Sequence, residues 1–336
     1  MTGTSDGNNS RSKTGSETGS EKVSAISAAD LLPKRARDTS KADYGNDVIF
    51  AGTSGMCGAA VLSALSALRS GAGLVRSATL RSNFTPIQTL APEAICVEWE
   101  DALGDLSHYD AVAAGPGLGT SDDAKKIIKG VLADFTGPLV IDADGLNTIA
   151  LGNTAASGNT AAPGNTAEPE NTTAPGNTAA PENLGDAVRN TRASVIMTPH
   201  ALEAARLLGS EPGKYDRREL AVKISEKYNC VCLSKGNGTV VRSPDGRTYV
   251  NTTGNPGMAT PGSGDVLTGI ITALAGQGIA PFEAAVLGCF IHGLAGDIAC
   301  EESGERGLIA RDIIANIPKA FMRAESGEYI LKIMSE

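Results

Sequence analysis

Short apolar runs alternate with amphipathic segments along most of the chain. Eight runs rich in Val, Ile and Ala are predicted strands: Asp47–Ala51, Gly73–Ala78, Ala111–Ala114, Pro138–Asp142, Ser194–Met197, Val231–Lys235, Thr239–Arg242 and Thr248–Asn251. Seven segments with helical spacing of apolar residues are predicted helices: Gly58–Ser70, Ser121–Asp134, Leu202–Leu208, Arg217–Tyr228, Gly262–Gln277, Pro281–Ser303 and Ala310–Ala320. Continuously apolar strands, most of them followed by a helix, are typical of a mainly parallel sheet covered on both faces. The pattern predicts an α/β fold.

Two segments lack any apolar pattern. Residues 1–22 are mostly Ser, Gly, Thr, Asn and charged residues, a composition that predicts a disordered tail. From Gly152 to Pro181 a hexapeptide resembling GNTAAP occurs in five copies. A left-handed β-helix needs an aliphatic residue in each turn, and no copy contains Leu, Ile or Val. We therefore expect a single domain at residues 23–336, interrupted by a flexible insertion at 152–183 whose removal leaves fold and turnover unchanged.

Composition and charge exclude several classes of protein. The 29 Lys and Arg against 38 Asp and Glu give a net charge of −9, which argues against a nucleic-acid binder. The 41% of hydrophobic residues is enough for a sizeable core. The N-terminus has no apolar signal segment, and no apolar run reaches the roughly 18 residues of a membrane span. The six cysteines form no CxxC pair and are predicted to be buried, reduced thiols, so we expect a cytoplasmic protein.

The segment Gly254–Asp265, followed by an apolar helix, is the strongest chemical signal. The backbone N–H groups of Gly262, Ser263 and Gly264 are candidate donors to a phosphate at the helix N-terminus. Asp265 in the first helical turn would repel that phosphate, but it suits a general base that deprotonates a hydroxyl being phosphorylated. The alternative is that Asp265 only stabilises the helix and that the glycines only form a turn.

Two further glycine turns follow predicted strands. Lys235-Gly-Asn-Gly-Thr239 suits contacts to a nucleotide, although Gly-Asn-Gly is also an ordinary hairpin turn. The segment Ala113–Gly119 is not the dinucleotide fingerprint GxGxxG, and no Walker A sequence occurs in the chain. For this second turn, a backbone wall beside a ligand and a simple tight turn are both open.

Polar residues also follow the strands at 138–142 and 194–197. The candidate contacts to a magnesium ion, or to its bound waters, are Asp142, Asp144 and Asn147. The alternative is that these residues cap the following helix. His200 and Glu203 lie at a strand-to-helix turn, where a capping box would explain both residues without any function.

The motifs GPGLG, DADGLN, TPHxxE, KGxGT and GNPGMATxGSGDVLTG, in this order, resemble the NAD(P)H-hydrate dehydratase family. The resemblance runs from Tyr44 to Ala320 without the repeat. It implies a ribokinase-like three-layer sandwich, in which ADP phosphorylates the hydroxyl of a hydrated nicotinamide ring. Phosphate then leaves, and NAD(P)H and AMP are released. It further implies Mg²⁺ as cofactor, a homotetramer, and a separate NAD(P)H-hydrate epimerase as functional partner.

The resemblance also implies roles for individual residues. The residues matching the nucleotide site are Lys235, Gly236, Asn237, Gly238, Thr239 and Gly264, with Gly262 and Ser263 as further donors. The residues matching the hydrate site are Ala59, Gly117, Gly119, His200 and Asp265, with Asp265 as the catalytic base. The chain departs from the family at Pro261, where a glycine is usual, and at Ser40-Lys-Ala, where His-Lys-Gly is common. We expect no fused epimerase domain, because only 46 residues precede the first predicted strand.

Two other functions fit the same motifs. A ribokinase-superfamily kinase acting on a vitamin precursor alcohol would use the same phosphate loop and base. A nucleotide-binding regulator without catalysis is the alternative from another class, and Pro261 is the feature in its favour. The GNPGMAT and TPHxxE segments favour the dehydratase, and the intact Gly-Ser-Gly-Asp265 argues against the regulator. Resemblance to the stand-alone prokaryotic form predicts that ADP serves better than ATP.

Overall fold

The computed structural model describes residues 22–156 and 183–335. Its strands are β1 (Lys22–Ser27), β2 (Asn46–Phe50), β3 (Leu74–Thr79), β4 (Ile95–Glu98), β5 (Ala111–Ala114), β6 (Pro138–Ile141), β7 (Ser194–Met197), β8 (Val231–Ser234), β9 (Val240–Arg242), β10 (Thr248–Val250) and β11 (Ile330–Ser335). Its α-helices are α1 (Ala28–Leu31), α2 (Cys57–Arg69), α3 (Phe84–Leu90), α4 (Trp99–Gly104), α5 (Asp122–Asp134), α6 (Ala143–Ala156), α7 (Leu184–Asn190), α8 (Ala201–Leu208), α9 (Arg217–Tyr228), α10 (Ser263–Gly276), α11 (Pro281–Gly307) and α12 (Ala310–Glu325).

All of these strands form one sheet, in the order β1-β11-β10-β9-β8-β7-β6-β5-β2-β3-β4. The strands from β8 to β4 in this order pair in parallel. The strands from β8 to β1 pair antiparallel. The prediction of a mainly parallel sheet is confirmed. Because parallel strands all point the same way, the C-terminal ends of β5, β6, β7 and β8 lie at one edge, where ligands bind in open α/β sheets.

The sheet is buried on both faces, as strand β2 shows. Side chains alternate between the faces of a strand. Val48 and Phe50 belong to one apolar cluster with residues of α4 to α9, whereas Ile49 belongs to a second cluster with residues of α2, α10, α11 and α12. All three side chains are fully buried. Two helical layers therefore enclose the sheet, which is the predicted three-layer arrangement.

Helix α11 is the only described helix long and apolar enough to cross a membrane by length and composition. However, 83% of its apolar window is buried inside the fold. Val286, Leu287 and Phe290 pack in the same apolar cluster as residues of α10 and α12. The apolarity of α11 up to Ala299 is therefore that of a core helix, whereas residues 301–307 are exposed.

Several elements were missed by the apolar pattern. Strands β1, β4 and β11 and helices α1, α3, α4, α6 and α7 were not predicted. The first strand therefore begins at Lys22 and not at Asp47. Strands β1 and β4 are the two edges of the sheet, and most of β1 is exposed. An edge strand buries little surface, so its sequence needs no continuous apolar run. The predicted disordered tail lies outside the described residues, except for Lys22.

Helix α6 continues into the first copy of the hexapeptide repeat. The helix ends at Ala156, so the prediction of a flexible loop is wrong for residues 152–156, and residues 157–182 lie outside the described part of the chain. Asn153 Nδ2 donates to the Tyr228 hydroxyl at 2.9 Å, and Asn153 Oδ1 accepts from Gly185 N–H at 2.9 Å. Deleting the repeat from Gly152 would remove both bonds, so the expectation that such a deletion leaves the fold unchanged needs correction.

Replacing Asn153 with Ala is expected to lower the free energy of unfolding by about 1–2 kcal/mol, because it removes two hydrogen bonds, although Gly185 N–H still donates to Asn183 Oδ1 at 2.9 Å. Tyr228 is 1% exposed, and its hydroxyl also donates to Leu207 O at 2.8 Å. Urea unfolding of Asn153→Ala, Tyr228→Phe and the double variant isolates the contact. Strictly additive losses would contradict a direct interaction.

Candidate active site

Four chain segments meet at the C-terminal edge of the sheet. Asp142 directly follows β6, and Lys235 directly follows β8. Helices α8 and α10 begin at the same edge, and Lys235 N–H donates to Pro199 O at 2.9 Å, which ties the end of β8 to the turn before α8. A parallel sheet thus brings together residues that are more than 90 positions apart in sequence.

A buried ion pair forms the floor of the site. Lys235 Nζ lies 2.5 Å from Asp142 Oδ1, and Thr268 Oγ1 donates to Asp142 Oδ2 at 2.7 Å. The side chains of Lys235 and Asp142 are 18% and 1% exposed. Burial lowers the pKa of Lys235, but the nearby carboxylates raise it by a larger amount, so the net shift is upward. These carboxylates belong to Asp142, Glu203 and Asp265. Lys235 is therefore a fixed cation.

The residue after Asp142 has an unusual backbone conformation. Ala143 has a φ of 48°, a left-handed backbone value that residues other than glycine rarely adopt. This turn separates Asp142, on the ion pair, from Asp144, whose Oδ2 accepts from Gly119 N–H at 2.9 Å. Backbone strain of this kind concentrates at functional sites.

The N-terminus of α10 lies above the ion pair. Gly262 caps the helix with a φ of 85° and no side-chain hydrogen bond, so Gly264 N–H and Asp265 N–H have no acceptor within the helix. A Cβ built on Gly264 would lie 3.5 Å from Lys235 Nζ and 3.6 Å from Asp142 Oδ2. N–H groups without an acceptor in the helix, the helix dipole and a lysine together make this position a candidate anion site.

Two carboxyl groups around Lys235 have strongly raised pKa values. Burial and the nearby charge of Asp142 raise the pKa of Asp265 to about 7, with Lys235 opposing the shift. Burial and Asp142 likewise raise the pKa of Glu203 to about 7. Carboxyl groups tuned to neutral pH are typical of acid–base catalysis.

His200 and Glu203 form the capping box that the sequence left open as an alternative. His200 Nδ1 accepts from Leu202 N–H at 3.1 Å and from Glu203 N–H at 3.3 Å. Glu203 Oε2 accepts from His200 N–H at 2.8 Å. His200 Nε2 lies 3.3 Å from Glu203 Oε1, and the imidazole is half exposed. His200 and Glu203 therefore form a capping box and also lie in the candidate site.

Two cavities flank the N-terminus of α10. The first has a volume of about 480 Å³ and includes Asn237, Thr239 and His292 in its wall. The second has a volume of about 570 Å³ and includes His200, Glu203 and Asp265. The residues that line both are Lys235, Gly236, Met258, Ala259 and Gly264. The cavities therefore adjoin at the candidate anion site.

The sequence profile of the NAD(P)H-hydrate dehydratase family matches residues 48–162 and 179–319, which include every segment of this site. The chain belongs to this family. The matched residues thus include all of the candidate active site.

Individual relatives support the same family assignment. The chain is 36% identical over 304 residues to the bifunctional NAD(P)H-hydrate repair enzyme Nnr of Thermofilum pendens, covering 86% of this chain and 52% of that protein. It is 35% identical over 289 residues to the ADP-dependent (S)-NAD(P)H-hydrate dehydratase of Neisseria meningitidis, covering 84% and 87%. The chain thus spans about half the length of the first of these relatives and most of the second.

Solved structures share the fold of this chain. The ADP/ATP-dependent NAD(P)H-hydrate dehydratase of Bacillus subtilis, co-crystallised with ATP/Mg²⁺, has a TM-score of 0.71 at 27% identity and covers 88% of this chain and 96% of that one. A ribokinase-like superfamily protein of Enterococcus faecalis has a TM-score of 0.70 at 26% identity, covering 89% and 95%. The predicted ribokinase-like fold is confirmed.

The residues predicted to bind the hydrate fall into two groups. His200 and Asp265 line the second cavity. Ala59, Gly117 and Gly119 line neither cavity, but they lie together, because a Cβ on Gly117 would come within 2.9 Å of the Ala59 side chain. Gly119 is joined to the site through Asp144. The role of these three residues stays a prediction.

The residues predicted to bind the nucleotide also fall into two groups, those that line the first cavity and those that do not. The first cavity is lined by Lys235, Gly236, Asn237, Thr239, Ser263 and Gly264. Gly238 and Gly262 line neither cavity. A Cβ on Gly262 would approach Leu62 Cδ1 to 2.4 Å, so this glycine is explained by its positive φ and by packing. Ser263 N–H already donates to Thr260 O at 3.3 Å, which leaves Gly264 and Asp265 as the better donors.

Sequence reasoning gave no catalytic role to Glu203 and did not single out Thr268 or Asp297. Asp297 of α11 accepts from Gly254 N–H at 2.9 Å and from Asn255 Nδ2 at 3.0 Å, and thereby holds the wall of the first cavity. The spacing of Thr268, one turn after Asp265, was the available signal, because residues three apart share a helix face. Asp297 gave no local signal, since its partners come from a distant loop.

The residues predicted to contact magnesium do not form a metal cage. Both oxygens of Asp142 accept from protein donors, and Asn147 Oδ1 accepts from Arg206 Nη1 at 2.9 Å. Within residues 22–156 and 183–335, no group of three or more His, Cys, Asp and Glu side chains is placed to hold a metal. Mg²⁺ at phosphoryl-transfer sites usually binds through few carboxylates and substrate phosphates.

Proposed function

We propose that this chain catalyses the ADP-dependent dehydration of hydrated NADH and NADPH, releasing NAD(P)H, AMP and phosphate. It would therefore act as a carbon–oxygen lyase in nicotinamide nucleotide repair. Membership of the family supports the reaction, and the name of the Neisseria meningitidis relative supports ADP as donor.

The observation that carries the proposal is the shared wall of the two cavities. A phosphoryl group can pass directly between two ligands only where their sites adjoin. Gly264 lies in that wall, with its N–H at the helix N-terminus and its Cα above Lys235. We assign the first cavity to the nucleotide, the second to the hydrate, and Lys235 with Gly264 N–H to the transferred phosphoryl group.

Asp265 lies on the hydrate side of that wall. In the first step its carboxylate takes the proton of the ring hydroxyl while the hydroxyl oxygen bonds to phosphorus. The P–O bond of ADP then breaks, and AMP leaves with the electron pair. Lys235 and the helix N-terminus stabilise the charge on the phosphoryl oxygens. Mg²⁺ bound with the nucleotide would neutralise part of the same charge.

Incubation with hydrated NADH and either ADP or ATP tests the proposal. We expect the absorbance of the reduced nicotinamide to return faster with ADP, with AMP as the nucleotide product. Faster repair with ATP, yielding ADP, would overturn the donor assignment but not the dehydration. No return of absorbance with either nucleotide, in the presence of Mg²⁺, would overturn the function.

The pH dependence of the reaction follows from the pKa of Asp265, which burial and Asp142 raise to about 7. A base acts in its deprotonated form, so kcat/KM should rise as pH increases through about 7 and level off above about 8. Lys235 stays protonated over this range, because its pKa is raised. Initial rates between pH 5.5 and 9 test this expectation, and a flat profile would contradict it.

A kinase of the same superfamily is the less favoured function. It would share the anion site and Asp265, but it would release a stable phosphate ester instead of phosphate. Measuring free phosphate alongside nucleotide product distinguishes the two.

We further propose that the protein is a homotetramer and that it works with a separate epimerase. The bifunctional repair enzymes among the relatives support the partnership with an epimerase. All six cysteines are free thiols, which supports a reducing, cytoplasmic location.

A further inference from the structure

Dehydration of the ring removes groups from two neighbouring carbons. The hydroxyl leaves one carbon as phosphate, and a proton must leave the next carbon before the C=C bond can return. In the reaction proposed above, Asp265 already holds the hydroxyl proton when this C–H bond breaks. The second proton therefore needs an acceptor of its own beside the ring. This inference rests on the proposed function.

Glu203 is a second carboxylate in the hydrate cavity. It comes from α8, whereas Asp265 comes from α10, and both line the same cavity. Glu203 is 5% exposed, and its Oε2 is fixed by His200 N–H at 2.8 Å. Lys235 Nζ lies 3.9 Å from Oε2, which is beyond hydrogen-bond distance, so the lysine does not block the carboxylate.

His200 is not the acceptor in this arrangement. Its Nδ1 accepts backbone N–H groups from Leu202 and Glu203, so the ring proton of the neutral imidazole is assigned to Nε2. Nε2 in turn faces Glu203 Oε1 at 3.3 Å. Burial and Lys235 lower the pKa of His200, which keeps the imidazole neutral. The imidazole therefore orients Glu203.

We propose that Glu203 is the base that takes the proton from the ring carbon next to the phosphorylated carbon. First the C–O bond breaks, its electron pair leaves with phosphate, and the ring nitrogen lone pair forms a C=N bond. The C–H electron pair then forms the C=C bond, the nitrogen regains its lone pair, and the proton bonds to the Glu203 carboxylate. One hydrate and one ADP give one NAD(P)H, one AMP and one phosphate. Of the two protons removed, one ends on the phosphate and the other passes to water.

The charges around Glu203 suit this role. Lys235 faces it from the end of β8, Asp142 from the end of β6, and His200 and Arg206 from its own helix. Burial and Asp142 raise the pKa of Glu203 to about 7, while Lys235, the His200 N–H and Arg206 oppose the shift. The carboxyl group can therefore accept a proton and release it again near neutral pH.

The test is Glu203→Gln, whose amide oxygen can still accept from His200 N–H and retain the capping box. Phosphate should still be expelled, but the ring cation is not deprotonated and water adds back to it. We expect the AMP formed per NAD(P)H to rise from one to at least about ten, since a general base contributes a hundredfold or more. With hydrate deuterated at that carbon, NAD(P)H formation should show a kinetic isotope effect, and AMP formation should show none.

Glu219→Gln is the matched control. Glu219 occupies the same third position of a capping box, where its Oε2 accepts from Asp216 N–H at 2.8 Å in α9. It should keep a ratio of one. If Glu203→Gln does not fold, Glu203→Asp keeps a carboxylate one methylene further back and should give an intermediate ratio. A ratio of one in either folded variant, or equal loss of AMP and NAD(P)H, would refute the role of Glu203. No AMP from the unmodified protein would instead refute the proposed function.

Discussion

Replacing Asp265 with Asn is expected to reduce turnover at least about a hundredfold while nucleotide affinity stays the same or increases. The carboxylate is lost as proton acceptor, but the N–H groups of Gly264 and residue 265 remain at the start of α10. Removing a negative group beside the phosphates also removes repulsion. Steady-state kinetics and calorimetric titration with ADP measure the two effects separately.

Asp312→Asn is a matched control for this variant. Asp312 is the third residue of α12, as Asp265 is of α10, and it accepts from Ile309 N–H at 2.9 Å. Within the described residues, the Asp265 carboxylate accepts no such bond, so a helix-capping role does not explain it. Asp312→Asn should affect stability alone. An Asp265→Asn variant that retains most of its activity would remove Asp265 from the mechanism.

Replacing Lys235 with Met is expected to lower the free energy of unfolding by about 3–5 kcal/mol and to abolish measurable turnover. The methionine leaves Asp142, at 1% exposure, as a buried anion without its cation. It also removes the positive charge from the wall shared by the two cavities. Urea unfolding measures the stability, and the absorbance assay measures the activity.

The double variant Lys235→Met with Asp142→Asn separates the two effects. Stability should largely return, because no unpaired charge is left buried, whereas turnover should not. Lys125→Met is a matched control, since Lys125 lies 2.9 Å from Asp122 in an exposed ion pair and should change stability by less than about 1 kcal/mol. A Lys235→Met protein as stable as the unmodified one would show that the pair contributes nothing to the fold.

The buried strands and the loops that follow them were predictable from local sequence. Strands such as β5 and β6 are buried on both faces and are apolar at every position, and this produces a strong signal. The edge strand β1 and the start of the repeat in α6 gave no such signal. Asn153 lies in a polar repeat, and its bonds to Tyr228 and Gly185, far along the chain, hold it in place.

The candidate site divides in the same way. Asp265, Lys235 and Gly264 could be identified from the sequence, because each belongs to a local motif whose residue types indicate phosphate and proton chemistry. Gly262 belongs to the same motif, but packing against Leu62 explains it. The sequence could not show whether a motif glycine faces a ligand or a neighbouring helix, since both require the same missing side chain.

The sequence by itself determined the three-layer α/β fold, the candidate anion site at the start of α10 and the candidate base Asp265. All of these depend on residues close together in the chain. The tertiary structure alone decided that Asp142 is paired with Lys235, that Glu203 faces the same cavity as Asp265, and that both carboxyl groups have pKa values of about 7. The reason is physical: burial and charge–charge interaction depend on distances between strands and helices, and those distances are set only when the sheet has formed.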